Sequence, residues 1–455
     1  MRLTDTLSGE KKELQPLDPA GGVRMYVCGL TPYSRSHVGH ALKSVVFDVL
    51  RRYLEWRGYR VRHVENFTDV DDKLIERARE LGVSVSELAD ENIRDYLENL
   101  RRLNVLPATH YPRVTEMIAE IIAFIEGIIA KGHAYVANGD VYFRVRSKPD
   151  YGKLSHRRID ELKAGARVEP GERKEDPLDF ALWKAAKPGE PSWQSPWGPG
   201  RPGWHIECSA MALHTLGEQI DIHGGGADLI FPHHENEIAQ TEVLTGKPFA
   251  SIWVHNALLQ FAGEKMSKSV GNVVTVREAL DRYGGDAFRL FVLTSHYRTP
   301  ATYSDEAMAA AKAGMERLRE AALAPTGSGP AAELDLEGVR RRFVEAMEDD
   351  LNTPRALGAL FDLVRELNRE RSAGRDVFEG QALLRELLGV LGFTLEPPPS
   401  RRAEDAAPFI DLLVRVRAEL RAARQFALAD RIRDELAALG IELQDTPSGT
   451  VWRER

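Results

Sequence analysis

Cysteine is nearly absent from this 455-residue chain, which holds two, Cys28 and Cys208. Two thiols exclude a four-thiolate zinc knuckle and any disulfide framework. In a reducing cytosol they are expected as free thiols or metal ligands rather than as a bridge. A positive charge excess is also missing: Lys and Arg total 61 against 69 Asp and Glu, a net charge of −8. A nucleic-acid partner would therefore have to use local basic patches. No stretch reaches the roughly 18 apolar residues of a membrane span, and the opening MRLTDTLSGEKKELQPLDPA lacks a signal peptide's apolar run. Cytoplasm is the expected compartment, with no membrane partner. Internal repeats and low-complexity segments are missing too. What is present is a globular composition, 43% hydrophobic and 29% charged, in a chain long enough for two to four domains.

The run VRMYVCGL reads as a strand ending at Cys28-Gly29. After a polar turn comes ALKSVVFDVLRRYLEWRG, in which Leu42, Val45, Val46, Val49, Leu50, Tyr53 and Leu54 recur at helical spacing, with Gly58 as a stop. A strand at YRVRHVENF and a helix at DDKLIERARELG continue the alternation of a parallel α/β sheet. Helices over about 86–105 and 113–131 lead into the strand-like DVYFRVR. Residues 135–200, ending in KPGEPSWQSPWGPGRPGW, read as an insertion, because proline, glycine and tryptophan forbid long regular elements there. The pattern resumes with a helix at HIECSAMALHTLG, a strand at QIDIHGGG, a helix with Pro232 at its first position, and a strand at SIWVHNALLQF. Beyond GEKMSKSVGN the chain is expected to be helical, with linkers at 324–333 and 396–408. The tail reads as one long charged helix followed by two strand-like runs around a Pro-Ser-Gly turn.

Three stretches carry chemistry. In SHVGH, His37 and His40 lie three apart across Gly39, so both imidazoles can face one way while the glycine lets a ligand approach. The turn sits where a strand feeds a helix N-terminus, a natural anion site that suits a nucleotide phosphate; two surface histidines capping a helix are the plainer alternative. In KMSKS, Lys265 and Lys268 put two flexible ammonium groups on a glycine-flanked loop, suited to charge building on a leaving pyrophosphate. Alone, such a loop is most often solvated surface. In IFPHHENEIA, two histidines and two glutamates crowd five positions. His233 and Glu237, four apart, share a helical face, and so do His234 and Glu237, three apart; spacing does not choose between them. Cys208 falls in the first turns of its helix, where the positive dipole end favours a thiolate. With Cys28 it would complete a zinc set of two thiolates, one imidazole and one carboxylate, either a closed structural site or a reader of substrate. The aspartates of TDVDDK suit a helix N-terminus better than a magnesium site.

An H-x-G-H turn after the first strand together with a KMSKS loop after the last resembles the paired signatures of class I aminoacyl-tRNA synthetases. That family implies a Rossmann-type domain that activates an amino acid with ATP and passes it to tRNA. Beside an amino-acid pocket, zinc would favour a thiol over a serine hydroxyl, which predicts cysteine as substrate. A site built around one polar atom rejects an analogue lacking it by roughly ten-thousandfold without editing. The 135–200 insertion is small for an editing domain, in keeping with this.

MYVCGLTPY, NFTDVDDKLIERA, GRPGWHIECSAM, DIHGGGADLIFPHHENEIAQ and EKMSKSVGN together resemble the bacterial-type cysteinyl-tRNA synthetases, over nearly the whole chain. The resemblance implies an α/β fold: a Rossmann-type parallel-sheet catalytic domain with an insertion, then a helical anticodon-binding region and a small mixed C-terminal domain. It divides the chain into 1–134, the first catalytic half; 135–200, a connective insertion; 201–260, the second half; 261–323, the KMSKS loop and stem-contact region; 334–396, an anticodon-binding bundle; and 409–455, a small anticodon-recognition domain. It implies one zinc per chain on Cys28, Cys208, His233 and Glu237, leaving His234 and Glu235 as supporting or pocket residues. It implies ATP with magnesium on Gly29, His37, Gly39, His40 and Lys268, with His37, His40, Lys265 and Lys268 catalytic. Thr68, Trp204, His223 and Asp228 would line the cysteine and adenylate pocket. Arg421, Phe426, Asp430 and Asp445 would read the anticodon by base-edge and backbone contacts, Phe426 standing where the family pattern has tryptophan and lacking its indole N–H. The implied partners are tRNA(Cys), L-cysteine and ATP, and the implied state is a monomer.

Overall fold

The computed structural model describes residues 1–162, 174–261, 264–265, 274–396, 403–446 and 449–454. Four strands build its central sheet: β1 (Gly22–Leu30), β2 (Arg60–Phe67), β3 (Ile220–Gly226) and β4 (Ala250–Asn256). They pair in the order β4-β3-β1-β2, all parallel. Parallel strands are covered on both faces, so they read as continuous apolar runs; Val23, Met25, Tyr26 and Val27 of β1 are at most 1% exposed. Helix α1 (Val38–Trp56) packs its Val45, Val49, Leu50 and Tyr53 into one core with β1 and β3. Helices α2 (Trp204–Leu216) and α3 (Glu235–Thr245) contribute Met211 and Ile238 to a second core with Tyr26 and Trp253.

Sheet order decides where a crevice opens. β1 lies between β2, which follows it in the chain, and β3, which arrives from the second half. At such a reversal the connections leave in opposite directions and open a crevice beyond the carboxyl ends of the strands. Cys28 and Gly226 stand at those ends.

A second, four-stranded antiparallel sheet is formed by Ala134–Ala137, Asp140–Phe143, Phe180–Ala185 and Gly200–Pro202. Its first hairpin turns at Asn138-Gly139, both at positive φ (54° and 87°), as a tight two-residue hairpin requires. Helices Val276–Tyr283, Gly285–Leu293, Asp305–Leu323, Leu336–Glu348, Thr353–Ser372 and Phe378–Val390 follow, and their core is continuous with that of α1. A buried guanidinium ties them together: Arg289 donates to Asp48 of α1 at 2.6 Å and to the carbonyls of Leu103 and Leu391 at 2.9 and 2.8 Å.

By contact density the chain divides at Glu396 into units 1–396 and 397–455. The second unit holds helices Ala403–Ala422 and Phe426–Ala438 and the antiparallel strands Ile441–Thr446 and Gly449–Glu454, around Ile410, Leu436 and Ile441. Trp452 Nε1 donates to Asp411 at 2.8 Å.

Three expectations are corrected. The 396–408 linker is shorter, because helix begins at Ala403; the strong helix formers of AEDAA outweigh Pro408. The single long tail helix is two, broken where Arg424 takes a left-handed backbone (φ 59°). Pro232 does not open its helix. Phe231 is extended (φ −136°, ψ 132°), as the residue before a proline prefers. The Phe231–Pro232 peptide is cis, a π-type turn spans Ile230–His234, and the regular helix starts at Glu235. Among the described residues no helix is long and apolar enough to cross a membrane.

Candidate active site and metal centre

A cleft of about 380 Å³ opens at the ends of β1 and β3. His37, Gly39 and His40 form its rim. His37 is extended (φ −109°, ψ 166°) just before α1, and its backbone N–H donates to His40 Nδ1 at 3.2 Å. The two rings stack with centroids 3.8 Å apart, so both imidazoles do share a direction. The chain leaving KMSKS is stitched to this turn: Val38 N donates to Val274 O at 3.1 Å and Val276 N to Ser36 O at 3.0 Å. Lys265 lies in the short strand Glu264–Lys265, paired with Gln260–Phe261. Its side chain, and Lys268 entirely, lie outside the described residues.

The cleft floor gathers side chains from four elements. Cys28 Sγ, at the end of β1, lies 3.6 Å from Cys208 Sγ of α2 and 3.4 Å from Glu237 Oε1 of α3. His233 Nε2 lies 3.1 Å from Glu237 Oε1, and His234 Nε2 lies 3.8 Å from the same oxygen. Cys28, His233, His234 and Glu237 each offer a donor atom within 4.8 Å of the others. Both imidazoles that spacing left open therefore reach the cluster, and His234 comes within 3.2 Å of Cys28 Sγ. Their far nitrogens differ: His233 Nδ1 faces His205 Nδ1 at 3.0 Å, and His234 Nδ1 faces His255 Nε2 at 2.8 Å.

These residues fit zinc by spacing and by charge. A tetrahedral zinc with bonds of about 2.0 to 2.3 Å separates its donors by about 3.3 to 3.8 Å, close to the Cys28–Cys208, Cys28–Glu237 and His233–Glu237 separations; Cys208 itself stands outside the group whose donors all lie within 4.8 Å of one another, where His234 is the fourth member. Burial pushes the Cys28 thiol well above its usual range, and Cys208 and Glu237 beside it add to the rise. The contact with Cys28 pulls Cys208 down, but burial and the neighbours Glu237 and Glu207 outweigh it, so its pKa is raised. The helix end alone thus does not ionise Cys208; a cation in this cage would. Burial opposes charge on Glu237 as well, yet His223 and His233 hold it below the usual range. Burial lowers His233 to about 3, leaving a neutral imidazole with a lone pair for a metal.

The other expected pocket residues are placed unequally. Thr68 lines the cleft and donates to Glu207 Oε2 at 2.8 Å. Trp204, 41% exposed, lines it too and stacks on His233 at 4.6 Å. Asp228 lies on the turn after β3 and lines the opening. His223 stands behind the floor, fully buried, with Nε2 2.7 Å from Glu237 Oε2. Glu235 points away, accepting from Gly152 N at 2.9 Å and Ser155 N at 2.8 Å. Asp69, Asp71 and Asp72 are all spoken for: by Thr115, by the helix start at Lys73, and by Lys184 and Arg201. Sequence reasoning missed Asn66, whose Oδ1 accepts from Gly29 N at 2.9 Å and lies 3.6 Å from Cys208 Sγ. The available signal was polar Glu65-Asn66 inside a buried strand.

In the second unit, Arg421 lies in the last turn of helix Ala403–Ala422, and Phe426 opens the next helix, 55% exposed. Asp430 lies 3.3 Å from Arg433. Asp445 belongs to strand Ile441–Thr446, its side chain outside the described residues.

Residues 14–313 match the family model described as the tRNA synthetases class I (C) catalytic domain, and residues 342–396 match the DALR domain. The chain is 54% identical to a cysteine–tRNA ligase of Dehalococcoides mccartyi, over 100% of this chain and 99% of that one. It is also 54% identical to a cysteine–tRNA ligase of Symbiobacterium thermophilum, with the same coverage. Among solved structures, Mycobacterium tuberculosis methionyl-tRNA synthetase in complex with methionyl-adenylate shares the fold, with a TM-score of 0.59 at 18% identity over 86% of this chain and 94% of that one. With a class I catalytic domain, a DALR domain and full-length relatives of one name, the chain belongs to the cysteine–tRNA ligase family of class I aminoacyl-tRNA synthetases.

Proposed function

We propose that the chain activates L-cysteine with ATP to cysteinyl adenylate and pyrophosphate, then transfers cysteine to the 3′-terminal ribose of tRNA(Cys). The convergence of Cys28, Cys208, His233 and Glu237 below the His37–His40 rim carries this reading: a thiol reader lies under a phosphate binder. With the substrate sulfur at the floor, its carboxylate points toward the rim. A carboxylate oxygen attacks the α-phosphorus, and the bond to pyrophosphate breaks. His37 and His40 stabilise phosphate oxygens, Gly39 lets the nucleotide approach with Gly29 lining the same cleft, and Lys265 and Lys268 offset charge on the departing pyrophosphate. A ribose hydroxyl then attacks the adenylate carbonyl, AMP leaves, and the hydroxyl proton passes to its phosphate. No side chain need act as a general base, since positioning and electrostatics do the work. Zinc, held by Cys28, Cys208, His233 and Glu237, supplies when bound a Lewis acid that favours a thiolate over a hydroxyl. Magnesium accompanies ATP.

Thr68, Trp204 and Asp228 wall the pocket and His223 supports it from behind Glu237. We assign anticodon reading to Arg421, Phe426, Asp430 and Asp445 within 409–455, with 334–396 as the helical bundle, 261–323 as the KMSKS and stem-contact region, and 135–200 as the insertion between catalytic halves 1–134 and 201–260. A cytoplasmic monomer is the corresponding state. Cysteine-dependent ATP–pyrophosphate exchange tests the activity, and a cobalt-substituted enzyme tests recognition: a new sulfur-to-metal band is expected with cysteine and not with serine. An enzyme without exchange sinks this reading.

A further inference from the structure

One cation of the cleft has no part in this chemistry so far. Lys43 follows His40 by one helical turn on α1, is 7% exposed, and lines the cleft. Its Nζ donates to the backbone carbonyl of Cys28 at 2.9 Å and to Glu65 Oε1 at 2.8 Å. Tyr96 OH donates to the same Glu65 oxygen at 2.7 Å and lies 3.0 Å from Ser44 Oγ, which in turn donates to His40 O at 3.0 Å. A buried ion pair contributes little net stability, because desolvation offsets its attraction, so its worth lies in what it orients.

What it holds is a peptide the sheet holds poorly. The pairing of β1 with β3 ends at Val27, and its register with β2 slips between Val27 and Leu30, skipping Cys28 and Gly29. The Cys28 peptide therefore lacks the regular ladder on both sides. The Lys43 ammonium, braced by Glu65 and Tyr96, fixes its carbonyl, and with it the direction of the Cys28 side chain.

We propose that Lys43 is a positioning residue for cysteine recognition: through the Cys28 carbonyl it aims the Cys28 thiol at the metal and the substrate sulfur. This rests on the zinc reading above. It implies that the pair Lys43–Glu65 tunes affinity for the amino acid and leaves the nucleotide untouched.

The test uses the full-length enzyme, zinc- and cobalt-loaded, with K43M, K43R and the double variant K43M/E65Q, the last removing the carboxylate that K43M would strand. Parent enzyme without a cobalt response to cysteine discards the zinc reading itself, separately from this proposal. With a responsive parent, K43M and the double variant are expected to raise the cysteine KM about tenfold to a hundredfold, with the ATP KM within about twofold. The sulfur-to-cobalt band before substrate is added should shift, and K43R should recover much of the loss. A folded variant with parental cysteine KM and cobalt spectrum overturns the proposal. So does a failure of both Met variants to fold, which assigns the pair to stability alone.

Discussion

Gly29→Ala places a methyl group where no space exists. Its Cβ would lie 1.7 Å from the carbonyl oxygen of Asn66 and 2.7 Å from the carbonyl carbon, whereas ordinary contact begins at 3.4 Å. β1 and β2 must part by about 1.7 Å, or the Asn66 peptide must rotate. Either movement reaches the cleft, since Asn66 Oδ1 accepts from Gly29 N and lies 3.6 Å from Cys208 Sγ. A displacement of about 1 Å at reacting groups costs about a hundredfold in rate, while overpacking costs about 1–3 kcal/mol of stability. Cysteine-dependent pyrophosphate exchange should therefore fall at least about a hundredfold in kcat/KM, with only a modest loss in urea midpoint. Gly389→Ala is the matched control. Gly389 lies within helix Phe378–Val390 with nothing within 4 Å of an added Cβ, so the same methyl should gain up to about 1 kcal/mol and leave exchange unchanged. Exchange by Gly29→Ala within about fivefold of the parent would refute the link from strand spacing to catalysis.

Arg289→Met breaks a fully buried pair, which costs about 3–5 kcal/mol; Arg52 and Leu106 N still hold Asp48, each at 2.8 Å, so urea titration should show the lower end, and a loss below about 1 kcal/mol would be against it. Burial lowers the His63 pKa from 6.5 to about 4. As pH falls through that window the unfolded chain takes up a proton the folded chain refuses, so stability is lost, reaching about 3 kcal/mol near pH 4. His63→Leu should show a shallower fall in melting temperature between about pH 7 and 5, and equal slopes would contradict the assignment. His205 Nδ1 faces His233 Nδ1 at 3.0 Å; because the far nitrogen of a ligating imidazole orients it, His205→Ala should weaken zinc binding about tenfold to a hundredfold in chelator competition.

Local periodicity was the legible part. The helical spacing from Leu42 to Leu54 and the apolar run before Gly29 locate α1 and β1 within a few residues, because 3.6-fold and continuous apolar patterns are printed along the chain. HVGH reads equally well, since three residues and a glycine set its geometry. IFPHHENEIA does not. Offsets of three and four share a helical face, and the extended Phe231 shifts the helix start; both His233 and His234 then reach Glu237. The break at Arg424 has no sequence punctuation beyond its neighbours' charge, so two helices read as one.

Sequence by itself determined the chemistry available: two cysteines, a histidine-glutamate cluster, an H-x-G-H turn and a basic loop, each a local pattern of residue types. Only tertiary structure decided how they meet. The order β4-β3-β1-β2 brings Cys28 within 3.6 Å of Cys208, and the gap in the β1 ladder hands the Cys28 carbonyl to Lys43. Neither is written in any window of the chain, because sheet order and burial act between residues far apart in sequence, where period and spacing carry no information.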